Sequence, residues 1–105
     1  MATSLELFTR PGPDGTPVVT AVGEIDMSNA DKFQDALSQA AAAGGPVVVD
    51  LTRVEYLDSA GLHALFAHTP GLRLIASPLL VPVLAISGLS DVTSVLDDET
   101  GSAGN

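Results

Sequence analysis

The stretch Val47-Val48-Val49-Asp50-Leu51, followed after a short gap by Tyr56-Leu57-Asp58-Ser59-Ala60-Gly61-Leu62, decides the fold. A continuous β-branched run ending in Asp-Leu reads as a buried strand of a parallel sheet, spanning about Val47 to Leu51. A short crossing segment is expected next, and Asp58-Ser59 then opens a helix that begins Ala60-Gly61-Leu62. Asp and Ser suit a helix N-cap because their side-chain oxygens accept the first free backbone N–H groups. A serine hydroxyl placed there is held at the edge of the fold, near the positive end of the helix dipole. That is a favourable place for a phosphate.

Upstream, Leu5 to Thr9 and Pro17 to Val22 read as two strands, and the turn-rich Pro11-Gly12-Pro13-Asp14-Gly15 between them predicts a hairpin. Gly23-Glu24-Ile25-Asp26-Met27 leads into a helix with Ser28 as the expected N-cap. Ala30, Phe33, Ala36, Leu37, Ala40 and Ala41 recur at helical spacing, and Gly44-Gly45-Pro46 ends that helix. Downstream, a short helix runs from Ser59 to about His68, Thr69-Pro70-Gly71 stops it, and Leu72 to Ile75 forms the next strand. Ser77-Pro78 opens a third helix in which Pro82, one turn later, is expected to kink or loosen the backbone. Val92 to Leu96 reads as a last edge strand. The order β-β-α-β-α-β-α-β implies a single α/β domain over residues 1–96, with crossovers on a mostly parallel sheet. Residues 97–105, Asp-Asp-Glu-Thr-Gly-Ser-Ala-Gly-Asn, read as a disordered acidic tail.

Composition narrows the function classes. Thirteen acidic residues against four basic give a formal charge of −9, which lacks the basic footprint that nucleic acid requires. An acidic chain is instead steered toward a basic partner surface, although the same charge also serves to keep an apolar chain in solution. No cysteine is present, which removes disulfides, thiol catalysis and Cys-based metal sites, and suits a reducing cytoplasm. The N-terminus has neither a basic nor an apolar leader region. The longest apolar run, Leu79 to Ile86, is far short of the ~18 residues that span a bilayer, so no membrane role is expected.

Catalytic machinery is not legible. A serine-hydrolase elbow needs Gly-x-Ser-x-Gly, and Leu57-Asp58-Ser59-Ala60-Gly61 lacks the first glycine. His63 falls one helical turn after Ser59 and could face it, but a surface pair without a third member makes a poor triad. His63 and His68 are five apart, which does not place both on one helix face for zinc. Phosphate-binding glycine motifs are absent, and no cofactor is implied. What remains is a cluster. Asp26 follows the second strand and Asp58 the third, and adjacent parallel strand ends share an edge, so Asp26, Asp58 and Ser59 are expected together there.

Gly23-Glu24-Ile25-Asp26 ahead of a helix, Val-Val-Val-Asp-Leu, and Asp58-Ser59-Ala60-Gly61-Leu62 together resemble the STAS domain of bacterial anti-sigma factor antagonists (SpoIIAA-like proteins). Ser77-Pro78 and Ser87-Gly88-Leu89 resemble landmarks around the family's third helix, and the likeness covers roughly Leu5 to Leu96. It implies a four- to five-stranded mostly parallel sheet with an N-terminal hairpin and about three helices. It also implies partner switching: the antagonist binds an anti-sigma factor that is also a serine kinase, the kinase phosphorylates the motif serine, here Ser59, and a serine phosphatase resets it. On that resemblance the chain is a cytoplasmic phosphoprotein of transcription and stress regulation, a substrate and competitor rather than an enzyme. The partner-binding residues are then Asp26, Asp58, Ser59, Ala60, Gly61 and Leu62, with Gly61 allowing a partner backbone to approach closely.

The chain departs from the family pattern at three points. The segment from Ser59 to Gly71 is shorter than usual, Ala60 stands where many members carry a second serine, and the helix Leu79 to Ile86 lacks charged residues. A helix apolar on every side is either buried or offers a patch to something else, and self-association through it is expected. The alternative to a phosphorylated antagonist is a STAS-type interaction module without phosphate control, serving another signalling or transport complex.

Overall fold

The computed structural model describes residues 4–69, 71–89 and 94–97. Strands β1 (Leu5–Pro11) and β2 (Pro17–Ile25) form the expected hairpin, paired antiparallel from Leu5↔Gly23 to Pro11↔Pro17. The turn closes through the Gly12 N–H on the Thr16 carbonyl at 2.8 Å. Helix α1 (Ala30–Ala41), strand β3 (Val47–Leu57), helix α2 (Ser59–Phe66), strand β4 (Leu72–Ala76), helix α3 (Val81–Ile86) and strand β5 (Ser94–Asp97) follow. One five-stranded sheet has the order β1-β2-β3-β4-β5, parallel throughout except for the hairpin. Asp97, expected to open the disordered acidic tail, is instead the last residue of β5, paired with Ala76; residues 98–105 lie outside the described residues.

β1 and β2 run on to Pro11 and Ile25, past the expected Thr9 and Val22, and α2 ends at Phe66 rather than about His68; three further differences have a local reason. The segment after Leu51 is not a crossing loop but the second half of β3. Pairing with β2 steps from Thr20↔Asp50 to Val22↔Arg53 and again from Gly23↔Val54 to Glu24↔Tyr56, so β3 carries an extra residue at each step. Such bulges break the period-2 alternation by which a strand is read, and burial passes from Val47, Val49 and Leu51 to Val54 and Leu57. Helix α1 is flanked by Asn29 rather than Ser28. Pro82 falls in the first turn of α3, where its missing N–H costs no helical bond, and Pro78 lies in the turn before it.

The helices and one sheet face share one core, in which Phe33 and Leu37 of α1, Leu65 of α2 and Leu84 of α3 meet Val19, Val49, Leu51 and Leu74. Among the described residues the opposite sheet face carries no helix. Three of the four basic residues, Arg10, Arg53 and Arg73, lie on it, around Asp50. Helix α3 resolves into two sides: Leu80, in the turn before it, and Leu84 are buried, while Leu79, Val83 and Ile86 are 66%, 39% and 88% exposed. Among the described residues no helix is long and apolar enough to cross a membrane.

Candidate functional site: the paired ends of two parallel strands

Ile25 and Leu57, the last residues of β2 and β3, are partners in the parallel ladder, and the Asp58 N–H donates to the Ile25 carbonyl at 3.1 Å. Asp26 and Asp58 therefore leave the sheet side by side, as adjacent parallel strand ends require. The Asp58 carboxylate then does two things. Its Oδ1 accepts the N–H groups of Ala60 (2.9 Å) and Gly61 (3.2 Å), capping α2. Its Oδ2 accepts the Met27 N–H at 3.2 Å, which binds the loop after β2 to the start of α2.

Asp26 works within its own loop. Its Oδ1 accepts the N–H of Ser28 at 2.9 Å and also the Ser28 hydroxyl, while its backbone N–H donates to Asn29 Oδ1 at 3.0 Å. Asn29 is buried, and its Nδ2 donates to the Glu24 carbonyl at 2.9 Å. Asn29 thus spends its side chain on the loop behind it and makes no side-chain cap on α1. The sequence reading missed this buried amide, because a cap residue and a loop staple have the same composition signal.

These loops border an open hollow of about 490 Å³ between α1 and α2. Asp58, Ser59 and Ala60, three of the expected partner-binding residues, line it, and so do Met27, Ala30, Asp31, Gln34 and His63. Asp26 is half-buried beside it and is not among the lining residues. Asp31 and Gln34 lie three apart on α1, outside its buried row of Phe33, Leu37 and Ala40. Met27 is 84% exposed, an apolar side chain held out at the rim by the loop that Asp58 fixes. Ser59 is exposed at the first position of α2.

Gly61 and Leu62 are placed differently from the expectation. Gly61 is buried, and a Cβ there would run into Leu57 Cδ1 and come within 2.9 Å of Ile25 Cγ2. The glycine lets α2 lie close on the strand ends rather than admitting a partner backbone. Leu62 is half-buried and packed against the core. His68 lies toward the other end of the helix pair, with its Nε2 3.5 Å from Ser38 Oγ. No cluster of three or more His, Asp or Glu suited to a metal ion occurs among the described residues.

The chain belongs to the STAS domain family. Residues 8–74 match the family model described as "Mlab, STAS domain". The chain is 33% identical over 96 residues to the anti-sigma-B factor antagonist of Listeria monocytogenes, covering 83% of this chain and 84% of that one. It is similar to the crystal structure of an anti-sigma factor antagonist from Mycobacterium paratuberculosis, with a TM-score of 0.78, 30% identity and coverage of 89% and 86%. The anti-sigma factor antagonist SpoIIAA shares the fold in its unphosphorylated form, at TM-score 0.63, 22% identity and coverage of 99% and 98%. The Bacillus SpoIIAA structure in the phosphorylated form superposes at TM-score 0.55, with 22% identity and 97% coverage of each chain.

Proposed function

We propose that this chain is an anti-sigma factor antagonist that docks through the α1–α2 hollow onto an anti-sigma factor with serine-kinase activity, and is released when Ser59 is phosphorylated. The observation that carries the reading is the setting of Ser59: an exposed hydroxyl at the rim of a hollow whose backbone Asp58 already holds in place. The family relationship and the names of the relatives support the class of partner.

Charge supplies the switch. A phosphate adds about −1.5 to −2 charges at neutral pH. At Ser59 it would stand beside Asp31 and Asp58, which line the same hollow. A partner surface shaped for a neutral hydroxyl and those carboxylates would then have to accommodate a further anion, and like-charge juxtaposition at an interface costs several kcal/mol. In this reading Asp26 acts by shaping the loop that presents Met27, a serine phosphatase restores the binding form, and the protein works in the cytoplasm.

The same geometry argues against a hydrolase built on Ser59 and His63. Asp58 directs both carboxylate oxygens at backbone N–H groups, so it does not orient the imidazole. Of the first-turn N–H groups that could serve an oxyanion, those of Ala60 and Gly61 are taken by that same carboxylate.

The test is incubation of the purified chain with its serine-kinase anti-sigma factor and ATP, followed by mass spectrometry and partner capture. One phosphate on Ser59, none on Ser59→Ala, and loss of capture on modification are expected. Equal capture of modified and unmodified protein would instead establish an interaction module without phosphate control.

A further inference from the structure

We infer that His63 supplies the countercharge to a phosphate on Ser59, so that the phosphorylated state is coupled to the protonation of this one imidazole. The inference deepens the reading above and rests on it. Ser59 and His63 are four residues apart on α2 and line the same hollow. That spacing puts side chains on consecutive turns, with Cβ atoms roughly 5–6 Å apart. Both residues are exposed, so neither needs the backbone to move for the two to meet.

An anion at the start of a helix ordinarily uses the free N–H groups of the first turn. Here the donors that follow Ser59 are occupied. Asp58 Oδ1 holds the N–H groups of Ala60 and Gly61, and the Leu62 N–H donates to the Asp58 carbonyl at 3.0 Å. A phosphate on Ser59 therefore meets a carboxylate where it would otherwise find donors.

The other groups facing the hollow do not compensate. Helix α1 contributes Asp31 and Gln34, the loop after β2 contributes Met27, and no lysine or arginine is among the lining residues. His63 is the one described lining residue able to carry a positive charge. An imidazolium and a phosphoserine dianion carry opposite charges, so each stabilises the charged form of the other. The signs are fixed: the dianion raises the affinity of His63 for its proton, and the imidazolium lowers the affinity of the phosphate for its own. As pH rises through the His63 midpoint, the phosphate loses its countercharge and faces Asp31 and Asp58 alone.

The test compares the unmodified chain with the same chain carrying phosphoserine incorporated at position 59 during translation, by NMR titration of the imidazole carbon-bound protons and of the phosphorus. The His63 midpoint is expected to rise by roughly one pH unit in the phosphorylated chain. His68, placed away from the hollow beside Ser38, serves as internal reference and should stay put. In the phosphorylated His63→Gln chain the phosphorus midpoint should move up relative to the phosphorylated parent. A His63 midpoint unchanged by the phosphate, or a phosphorus midpoint unchanged by His63→Gln, overturns the inference. Because the phosphoserine is incorporated directly, either null result leaves the phosphorylation switch standing. Failure of the kinase to modify Ser59 is read in its own assay and overturns the switch alone.

Discussion

The carboxylate of Asp58 accepts the backbone N–H of Met27 at 3.2 Å, joining two loops that lie 31 positions apart in the chain. The same side chain caps α2, so one residue fixes both sides of the hollow. Removing it in Asp58→Ala forfeits the cap, about 1 kcal/mol, and the loop tie, about 1 kcal/mol more. Denaturant unfolding should show a loss of about 2 kcal/mol from the two together. Asp58→Asn keeps one accepting oxygen for the α2 cap but turns an amide N–H2 group toward the Met27 N–H, so it should lose the loop tie and retain the cap. A loss as large as that of Asp58→Ala would show that the cap does not survive the exchange.

Gly61 tests the fit of α2 to the sheet. Alanine is favoured over glycine in a helix by about 1 kcal/mol, but overpacking a filled core costs about 1–3 kcal/mol. The Leu57 side-chain tip can yield, whereas Ile25 is β-branched and sits on a central strand, so the steric term decides. Gly61→Ala should therefore lower the melting temperature. Gly45→Ala, where a Cβ meets nothing within 4 Å, should not.

Met27 separates binding from stability. It is 84% exposed and makes its hydrogen bond through the backbone, so Met27→Glu should change unfolding free energy by less than about 0.5 kcal/mol. On the proposed docking its place at the rim brings it against the anti-sigma factor, and the variant should weaken capture at least tenfold in a titration. Unchanged affinity would move the docking surface away from this hollow.

Asp14 sets a pH dependence remote from the hollow. Its carboxyl is held below the usual carboxylate value by the Thr16 backbone N–H, which donates to Oδ1 at 3.0 Å, and then by the Thr16 hydroxyl. A depressed folded-state pKa stabilises the hairpin at pH values above the ordinary carboxylate pKa, and that contribution fades as pH falls through the lowered value. Wild type should lose stability relative to Asp14→Asn on acidification across that window. Parallel acid limbs for the two proteins in thermal melts would remove Asp14 from the account.

The exposed strip of Leu79, Val83 and Ile86 on and beside α3 is expected to support self-association. Sedimentation velocity at rising concentration should show a species larger than the monomer, and Leu79→Ser with Ile86→Ser should abolish it. A wild-type protein that stays monomeric at every concentration would discard the expectation.

Most of the fold could be read from the chain because its signals are local. Val47 to Leu51, the hairpin turn and the 3.6-residue spacing of Phe33, Leu37 and Ala40 each report on their own element. The parallel neighbours β2 and β3 then bring Asp26 and Asp58 to one edge, and Ser59 follows directly. What escaped depended on pairing between elements. The upper half of β3 was hidden by bulges that exist only opposite β2. Asn29 was hidden because its partners are the backbone of residues 24 and 26. The α1 side of the hollow was invisible for a related reason: Asp31 and Gln34 look like any solvated helix face until α2 is placed beside them. Gly61 showed its role only once Ile25 and Leu57 were seen beneath it.

Because every strand neighbours the one that precedes it in the chain, the sheet has a single growing edge. During synthesis the hairpin can form first, and each later strand can be added as soon as its helix has emerged, without displacing anything already paired. The contacts that define the sheet therefore close comparatively short loops, which favours rapid folding. The exposed backbone of β4 is the last template to be covered, and the four residues Ser94–Asp97 cover it. A chain ending at residue 89 would leave the backbone of β4 open as a second exposed edge besides that of β1, the form most prone to pairing with a neighbour.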